Sequence, residues 1–188
     1  MDYSLVEMED IQSALREHSE VADALVFRSA QPPAECVAVV ALSGYCSAPD
    51  IREFLWQRRN GDGDPVTVVV VPAISRGNGA DATRREVERL MATGDALVCR
   101  FERPRTETER TLVTSWQQVL GRKLIGVDDN FMDLGGDSLG AMVLLDLIAE
   151  KFGVEIPLDR FFDALSAREL ASVIDEMNSI EYSPPIGQ

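Results

Sequence analysis

The first half of the chain combines helical spacing with continuous apolar runs. Met8, Ile11 and Leu15 recur at the spacing of one helix face, whereas residues 36–42 (CVAVVAL) and 66–71 (VTVVVV) form apolar runs typical of buried strands. The predicted elements are, in order, a helix starting near residue 8, a strand at 22–26, a strand at 36–42, a helix at 47–56 with Ser47 as its N-cap, a strand at 66–71 and a helix at 83–91. This order predicts a small α+β domain over residues 1–94.

The second half of the chain shows helical spacing alone. The predicted helices are one that runs from a capping box at 106–109 (TETE) to Gly121, one from Ser138 to Phe152, a short turn at 157–162 and a last helix capped by Ser166 and Glu169. The apolar positions are Leu112, Trp116, Val119 and Leu120 in the first; Leu139, Met142, Val143, Leu147 and Ile148 in the second; and Leu170, Val173, Ile174 and Met177 in the last. This pattern predicts an all-α four-helix bundle over residues 106–180.

The boundaries between these parts follow from local composition. Residues 95–105 show neither the helical spacing nor the strand alternation of apolar residues, and they contain Pro104, so we expect a linker there. Residues 181–188 end in SPPIGQ and are expected to form a flexible tail.

Charge and cysteine content narrow the possible functions. The formal net charge of −14 argues against nucleic acid as a partner, because phosphate binding needs clustered basic residues. Three cysteines without CxxC spacing and one histidine predict reduced thiols and no metal site. The acidic start does not resemble a signal peptide, and the longest apolar stretch, 66–74, is too short to span a bilayer. We therefore expect a cytoplasmic location and no membrane partner.

The segment 129–139 (DNFMDLGGDSL) places Ser138 at the first turn of a predicted helix. Gly135 and Gly136 are expected to leave space beside this hydroxyl for another protein, and Asp137 is expected to cap the helix. The positive end of the helix dipole would favour a phosphate attached here. The residues alone leave open the alternative that Ser138 merely begins a helix behind its cap. Asp128 and Asp129, which precede this turn, are expected to be solvated loop acids.

Residues 105–178 resemble the peptidyl carrier domains of nonribosomal peptide synthetases. The resemblance is carried by PRTETERTLV, WQQVLG, IGVDDNFMDLGGDSL, FGVEIPL, FF and the helix with LASVI, in the order and spacing of that family. It implies that Ser138, within the motif of Gly135, Gly136, Asp137 and Leu139, receives 4′-phosphopantetheine from coenzyme A through a separate magnesium-dependent transferase. The thiol of that arm would then hold an acyl or aminoacyl group as a thioester.

The same resemblance implies positions that partner enzymes contact. These positions correspond to Leu139, Met142, Leu158 and Phe161. Ordinary core packing is the alternative for Leu139 and Phe161.

The first half of the chain resembles the small C-terminal subdomain of adenylation enzymes. The likeness is carried by VEMEDIQSALREHSEVADALV and by VVVVPAISRGNGADATRREV. In that family the second segment carries a lysine that helps to form the acyl adenylate, but the matching position here is Ala80, which supplies no charge. Arg76, Arg84 and Arg85 lie nearby but off that position. The large ATP-binding subdomain has no counterpart in the sequence, so we expect a degenerate subdomain and no adenylation activity.

These observations support one leading hypothesis and two alternatives. The leading hypothesis is a carrier for nonribosomal peptide or related antibiotic biosynthesis, which is not itself an enzyme. A transferase would modify it, a separate adenylation enzyme would load it, and condensation, tailoring or thioesterase enzymes would act on the tethered group. In one alternative the chain is the small half of a split adenylation enzyme fused to its carrier. In the other the first domain is a docking platform for a tailoring enzyme.

Overall fold

The computed structural model describes residues 5–29, 35–61, 65–75 and 79–181. The chain divides into two units, residues 1–100 and residues 101–188. The first unit contains a mixed four-stranded sheet with three helices. In the described part of the second unit, the regular elements are all helices. Within the described residues, no helix has the length and apolar character needed to cross a membrane.

The sheet of the first unit has the strand order β1-β2-β3-β4. Its strands are β1 (Val21–Arg28), β2 (Cys36–Leu42), β3 (Thr67–Val70) and β4 (Leu97–Cys99). Strands β2 and β3 pair in parallel, whereas β1–β2 and β3–β4 are antiparallel. Six of the seven residues of β2 are buried, which explains its continuous apolar run, because this central strand has helices on both faces.

Helices α1 (Leu5–Arg16) and α2 (Ala48–Arg58) pack on one face of this sheet, and α3 (Ala80–Thr93) packs on the other. Successive side chains of β2 point to opposite faces of the sheet. Val40 packs with Leu15 and Ile51 on the α1–α2 face, and Val39 packs with Val87 on the α3 face. Ser47 caps α2, as predicted, and the structure adds a full capping box with Asp50. Cys36 faces the α1–α2 side, and burial raises the pKa of its thiol to about 12.

The segment expected to be a linker, residues 95–105, contains the last strand of the sheet. Strand β4 pairs with β3 through Val98 opposite Val69, and the first unit extends to residue 100. Arg52 lies fully buried at this end of the unit, where its Nη1 donates to the carbonyl of Arg100 at 3.3 Å. A strand of three residues is too short to show an alternating pattern, so the sequence did not indicate it.

The second unit consists of α4 (Glu107–Leu120), α5 (Ser138–Phe152), α6 (Leu158–Phe162) and α7 (Ala167–Glu181). Thr106 and Glu109 form the predicted capping box, and Gly121 and Gly153 end α4 and α5 in the left-handed conformation. The helices surround one apolar core, whose largest fully buried side chains are Leu112, Trp116, Phe131, Leu134, Leu144, Ile148, Phe161, Leu170 and Ile174. Helix α7 continues to Glu181, and the rest of the expected tail lies outside the described residues.

Candidate functional site

Ser138 is the first residue of α5 and is exposed. The residue before it, Asp137, is the N-cap, and its Oδ1 accepts a hydrogen bond from the Gly140 N–H at 2.8 Å. Within the part of the chain that the structure describes, the Ser138 hydroxyl has no hydrogen-bond partner. The hydroxyl is therefore held at a helix N-terminus, and none of the described side chains engages it.

The turn that leads to Ser138 is closed by its own hydrogen bonds. The N–H of Gly136 donates to the carbonyl of Phe131 at 3.0 Å, and the N–H of Leu134 donates to the carbonyl of Asn130 at 3.1 Å. Asn130 also uses its side chain, because its Oδ1 accepts from the N–H of Met132 at 2.8 Å. These bonds form a compact turn at residues 130–137, called here the serine turn.

Phe131 anchors the serine turn in the core. Its ring is fully buried and lies edge-on to Trp116 and to Phe161, each with a centroid distance of 5.3 Å. Its N–H donates to the carbonyl of Leu165 at 2.8 Å. The turn is thus attached to both α6 and the segment before α7, which fixes the point from which α5 starts.

The two glycines of the serine turn serve different purposes, and only one matches the expected open space. Gly135 has a φ of +88°, and a Cβ added there would meet nothing within 4 Å. Gly136 is buried instead, and a Cβ there would lie 2.3 Å from Cε1 and 2.7 Å from the carbonyl oxygen of Phe131. Gly136 therefore permits internal packing against Phe131 and does not open the surface beside Ser138.

The acids that precede the turn are not both solvated, contrary to expectation. Asp129 is buried, and its Oδ2 accepts from the N–H of Gly126 at 2.7 Å. Asp128 is more exposed than Asp129 and forms a bidentate ion pair with Arg168, with nitrogen–oxygen distances of 2.5 and 3.1 Å. Both carboxylates hold the loop between α4 and α5 in place, a role that single-residue polarity does not reveal.

Arg168 also connects this loop to the start of α4. Its Nη1 lies 3.2 Å from Oε1 of Glu109, whose other oxygen accepts from the N–H groups of Arg105 and Thr106. The hydrogen bond from the Arg105 N–H, with contributions from Thr106 and Arg168, holds the pKa of Glu109 below its usual value. In return, Asp128 and then Glu109 raise the pKa of Arg168.

Helix α5 turns a different face to the core than the apolar pattern indicated. Ala141, Leu144 and Ile148 are buried, whereas Leu139 is 70% exposed and Met142 is 57% exposed. The alternative of core packing for Leu139 is therefore wrong. Because α5 is apolar around most of its circumference, hydrophobic spacing alone could not decide which stripe faces inward.

More apolar side chains of the second unit are exposed to solvent than the predicted contact residues alone. The exposed residues, called here the apolar surface set, are Met132 in the serine turn; Leu139, Met142 and Val143 on α5; and Leu158 and Phe162 on α6. Of these, Met142 lies on the same helix face as Ser138, four residues after it, and Leu139 and Val143 adjoin Met142 on an exposed face of α5, since Met142 and Val143 follow Leu139 by three and four residues. Met132, Val143 and Phe162 were not predicted as contact residues from the sequence.

Phe161 is not available for direct contact with a partner. It is fully buried against Phe131, whereas its neighbour Phe162 is 38% exposed. Consecutive residues in a helix point about 100° apart, so one aromatic ring of the FF pair faces the core and the other faces out. The predicted partner contact of Phe161 is therefore wrong, and Phe162 occupies the exposed position.

The residue predicted to stand in place of the lysine of adenylation enzymes lies at the start of a helix. Ala80 is the first residue of α3 and follows Gly79, which has a φ of +84°. Arg84 on the same helix pairs with Glu88 at 3.0 Å and lies over the ring of Phe27. Arg76 falls outside the described residues. The lysine assignment itself stays a prediction.

Comparison with known proteins identifies the second unit. A family model described as a phosphopantetheine attachment site matches residues 110–174. Tyrocidine synthase 3 of Brevibacillus parabrevis is 27% identical over 97% of this chain, and surfactin synthase subunit 3 of Bacillus subtilis (strain 168) is 30% identical over 85% of it. The chain spans only 3% and 12%, respectively, of the length of these two relatives.

Among solved structures, the chain is similar to a peptidyl carrier protein described in complex with the phosphopantetheine transferase Sfp and coenzyme A. The two are 32% identical, the match covers 40% of this chain and 99% of the other, and the TM-score is 0.40. The family match spans the helices that carry the serine turn and Ser138. The second unit of this chain therefore belongs to the phosphopantetheine attachment family, as a peptidyl carrier domain of the kind found in nonribosomal peptide synthetases.

Proposed function

We propose that the chain carries an acyl or aminoacyl group as a thioester on a 4′-phosphopantetheine arm attached to Ser138, in the biosynthesis of a peptide natural product. The observation that supports this most strongly is the exposed hydroxyl of Ser138 at the start of α5, which no described side chain engages and which lies inside the region matched by the attachment family. Similarity to synthetases along most of the chain supports the pathway class.

The attachment reaction requires little from the carrier itself. The Oγ of Ser138 forms a bond to the phosphorus that bears the pantetheine arm of coenzyme A, the phosphorus–oxygen bond to the second phosphate breaks, and 3′,5′-ADP leaves. The hydroxyl proton passes to a base on the transferase. The carrier supplies an accessible nucleophile in a fixed position, and the transferase supplies the magnesium ion and the catalytic groups.

The surroundings of Ser138 fit a phosphodiester. The N-terminal amides of α5 present a partial positive charge that stabilises a nearby phosphate. Gly135 leaves open space on one side, and no side chain in the described part covers the hydroxyl. The arm supplies the thiol that holds the substrate, while the residues of this chain hold its point of attachment.

The apolar surface set provides a basis for partner binding. Met142 lies one turn after Ser138 on the same face of α5, and the exposed Leu139 and Val143 lie beside it, so an enzyme that reaches the arm contacts this part of the helix. Leu158 and Phe162 add exposed apolar area on α6. We propose that the transferase, a separate loading enzyme and a later condensation, tailoring or thioesterase enzyme each use part of this set.

We further propose that the first unit is a degenerate small subdomain of an adenylation enzyme. The similarity to synthetases covers most of the chain, including this unit, and supports the proposal. In this proposal Ala80 takes the place of the expected lysine. Loading would then occur in trans. A split adenylation system and a docking platform are the two other candidates for this unit, and the similarity to whole synthetases supports each of them.

The carrier proposal is tested by intact-protein mass spectrometry. The chain is incubated with coenzyme A, magnesium and a broad-range phosphopantetheinyl transferase, and Ser138→Ala serves as the control. We expect the mass to increase by one phosphopantetheine unit in the wild type and not at all in the variant. A folded wild-type chain that gains no mass would contradict the proposal.

The role of the first unit needs a separate test. ATP–pyrophosphate exchange by a candidate adenylation core is measured with and without this chain, and stimulation by the chain would support the split enzyme. For the docking platform, a chain that starts at residue 101 keeps β4 out of the carrier fragment. The docking proposal predicts that this fragment is still modified at Ser138 but is used more slowly by its partner; equal use would contradict it.

A further inference from the structure

Arg122 stands at a fixed point just after α4. Gly121 ends that helix with a φ of 65°, and Nε2 of Gln117 donates to the carbonyl of Lys123 at 2.7 Å. The backbone on both sides of Arg122 is thereby held to the end of α4. Its side chain starts from a defined position.

From this position Arg122 reaches the serine turn. Its Nε donates to the carbonyl of Leu134 at 2.7 Å, twelve residues further along the chain. Leu134 lies at the centre of the turn, four residues before Ser138, and its own side chain is buried. The hydrogen bond therefore connects the end of α4 to the segment that presents the serine.

The serine turn has few other polar tethers to the rest of the protein. Upstream of it, the N–H of Val127 donates to the carbonyl of Glu102, and at its start the N–H of Phe131 donates to the carbonyl of Leu165. From residue 132 to residue 137, the hydrogen bonds in the described structure come from within the turn or run into α5, with one exception. The exception is the bond from Arg122.

We propose that Arg122 is a positioning residue for the modification of Ser138, holding the serine turn in the conformation that the transferase recognises. The inference rests on the proposed attachment at Ser138. Without this bond the turn keeps its internal hydrogen bonds but samples more orientations relative to α4. A partner that binds one of these orientations then meets a smaller competent fraction, so its apparent affinity falls in proportion.

Two variants separate the hydrogen bond from the charge. Arg122→Met keeps an unbranched side chain but removes the donor. Arg122→Gln also removes the charge, yet its amide nitrogen lies the same number of bonds from the backbone as the Nε of arginine, so it can still donate to Leu134. Arg110→Met is the control for loss of an arginine, because Arg110 is exposed and pairs with Glu107 at the other end of α4.

The test measures kcat and KM of the transferase for each full-length chain, together with its melting temperature. For Arg122→Met we expect KM to rise by at most about five-fold, the factor that loss of one hydrogen bond of ordinary strength can impose on the competent fraction, with kcat unchanged. Arg122→Gln is expected to restore KM to near the wild-type value, and Arg110→Met to leave it unchanged.

Two results would overturn the inference while leaving the attachment itself intact. One is an unchanged KM for Arg122→Met, and a lower melting temperature in that case would indicate a purely structural role. The other is an equal rise in KM for the Met and Gln variants, which would indicate charge alone. A wild-type chain that the transferase cannot modify would instead refute the attachment at Ser138, and the inference with it.

Discussion

Single side chains in and around the serine turn determine how Ser138 is presented. Phe131 fills the space that a Cβ on Gly136 would need, while Asp137 satisfies the amide of Gly140. The motif around the serine therefore encodes internal packing as much as access to the hydroxyl. Gly135 is the glycine whose backbone requires the absence of a side chain, because its φ is +88°.

Substituting Gly136 tests the packing role. In Gly136→Ala the new methyl group would lie 2.3 Å from the ring of Phe131, so the ring or the turn must shift. We expect the free energy of unfolding to fall by about 1–3 kcal/mol, as for other overpacked sites. Chemical denaturation followed by tryptophan fluorescence measures this change, since Trp116 packs against Phe131.

Gly140→Ala is the matched control for this substitution. A Cβ on Gly140 meets its nearest atoms at 3.4–3.6 Å, which is ordinary contact, and alanine favours the helical conformation. We expect the control to be at least as stable as the wild type. If the two alanine variants were equally stable, close packing between Gly136 and Phe131 would not be the reason for the glycine.

At the scale of helices and strands, helix ends were more predictable than helix faces. The N-cap at Ser47 and the capping box at Thr106 follow from local chemistry and are confirmed. The inward face of α5, the orientation of Phe161 and the strand β4 depend on neighbours distant in sequence. Local patterns carry no information about those neighbours, which is why these features were predicted wrongly or missed.

Truncating side chains to alanine should affect stability differently on the buried and the exposed face of α5. Leu144 is fully buried, so Leu144→Ala is expected to lower the free energy of unfolding by about 2–5 kcal/mol. Met142 is 57% exposed, so Met142→Ala should change it by less than about 0.5 kcal/mol. We expect Met142→Ala instead to raise the KM of the transferase. A destabilised Met142 variant with an unchanged KM would contradict this assignment of faces.

The start of α4 should respond to pH through Glu109. Its pKa is lowered by the Arg105 N–H, so its contribution to stability is complete above the ordinary glutamate pKa and is lost as the pH falls through the lowered folded value. At pH 7 we expect Glu109→Gln to lower the free energy of unfolding by about 1–3 kcal/mol. The difference from the wild type should shrink in acid.

The control for Glu109 lies two residues away on the same helix. Glu107 is exposed and pairs with Arg110 on the surface, so Glu107→Gln should have an effect near zero. Denaturation curves recorded between pH 7 and pH 3 provide the comparison. A loss that is equal for both variants, or independent of pH, would show that the Glu109 carboxylate does not hold the start of α4.

The whole molecule combines a unit with a clear family and a unit whose role is proposed. Ser138 and its helix could be predicted from the sequence because the motif, the cap and the helix start all lie within ten residues. The boundary between the two units could not be predicted from the sequence, because residues 97–99 belong to the first unit only through their pairing with β3. The loading enzyme and the tethered acid depend on proteins outside this chain.

The central claim is that Ser138 is the attachment point, and peptide mapping of the modified full-length chain tests it most directly. The chain is modified with coenzyme A and the transferase, digested, and examined by tandem mass spectrometry. We expect one phosphopantetheine, on the peptide containing Ser138, with buried Ser115 unmodified. Phosphopantetheine on any other residue, or on several serines at once, would rule out Ser138 as the single attachment point.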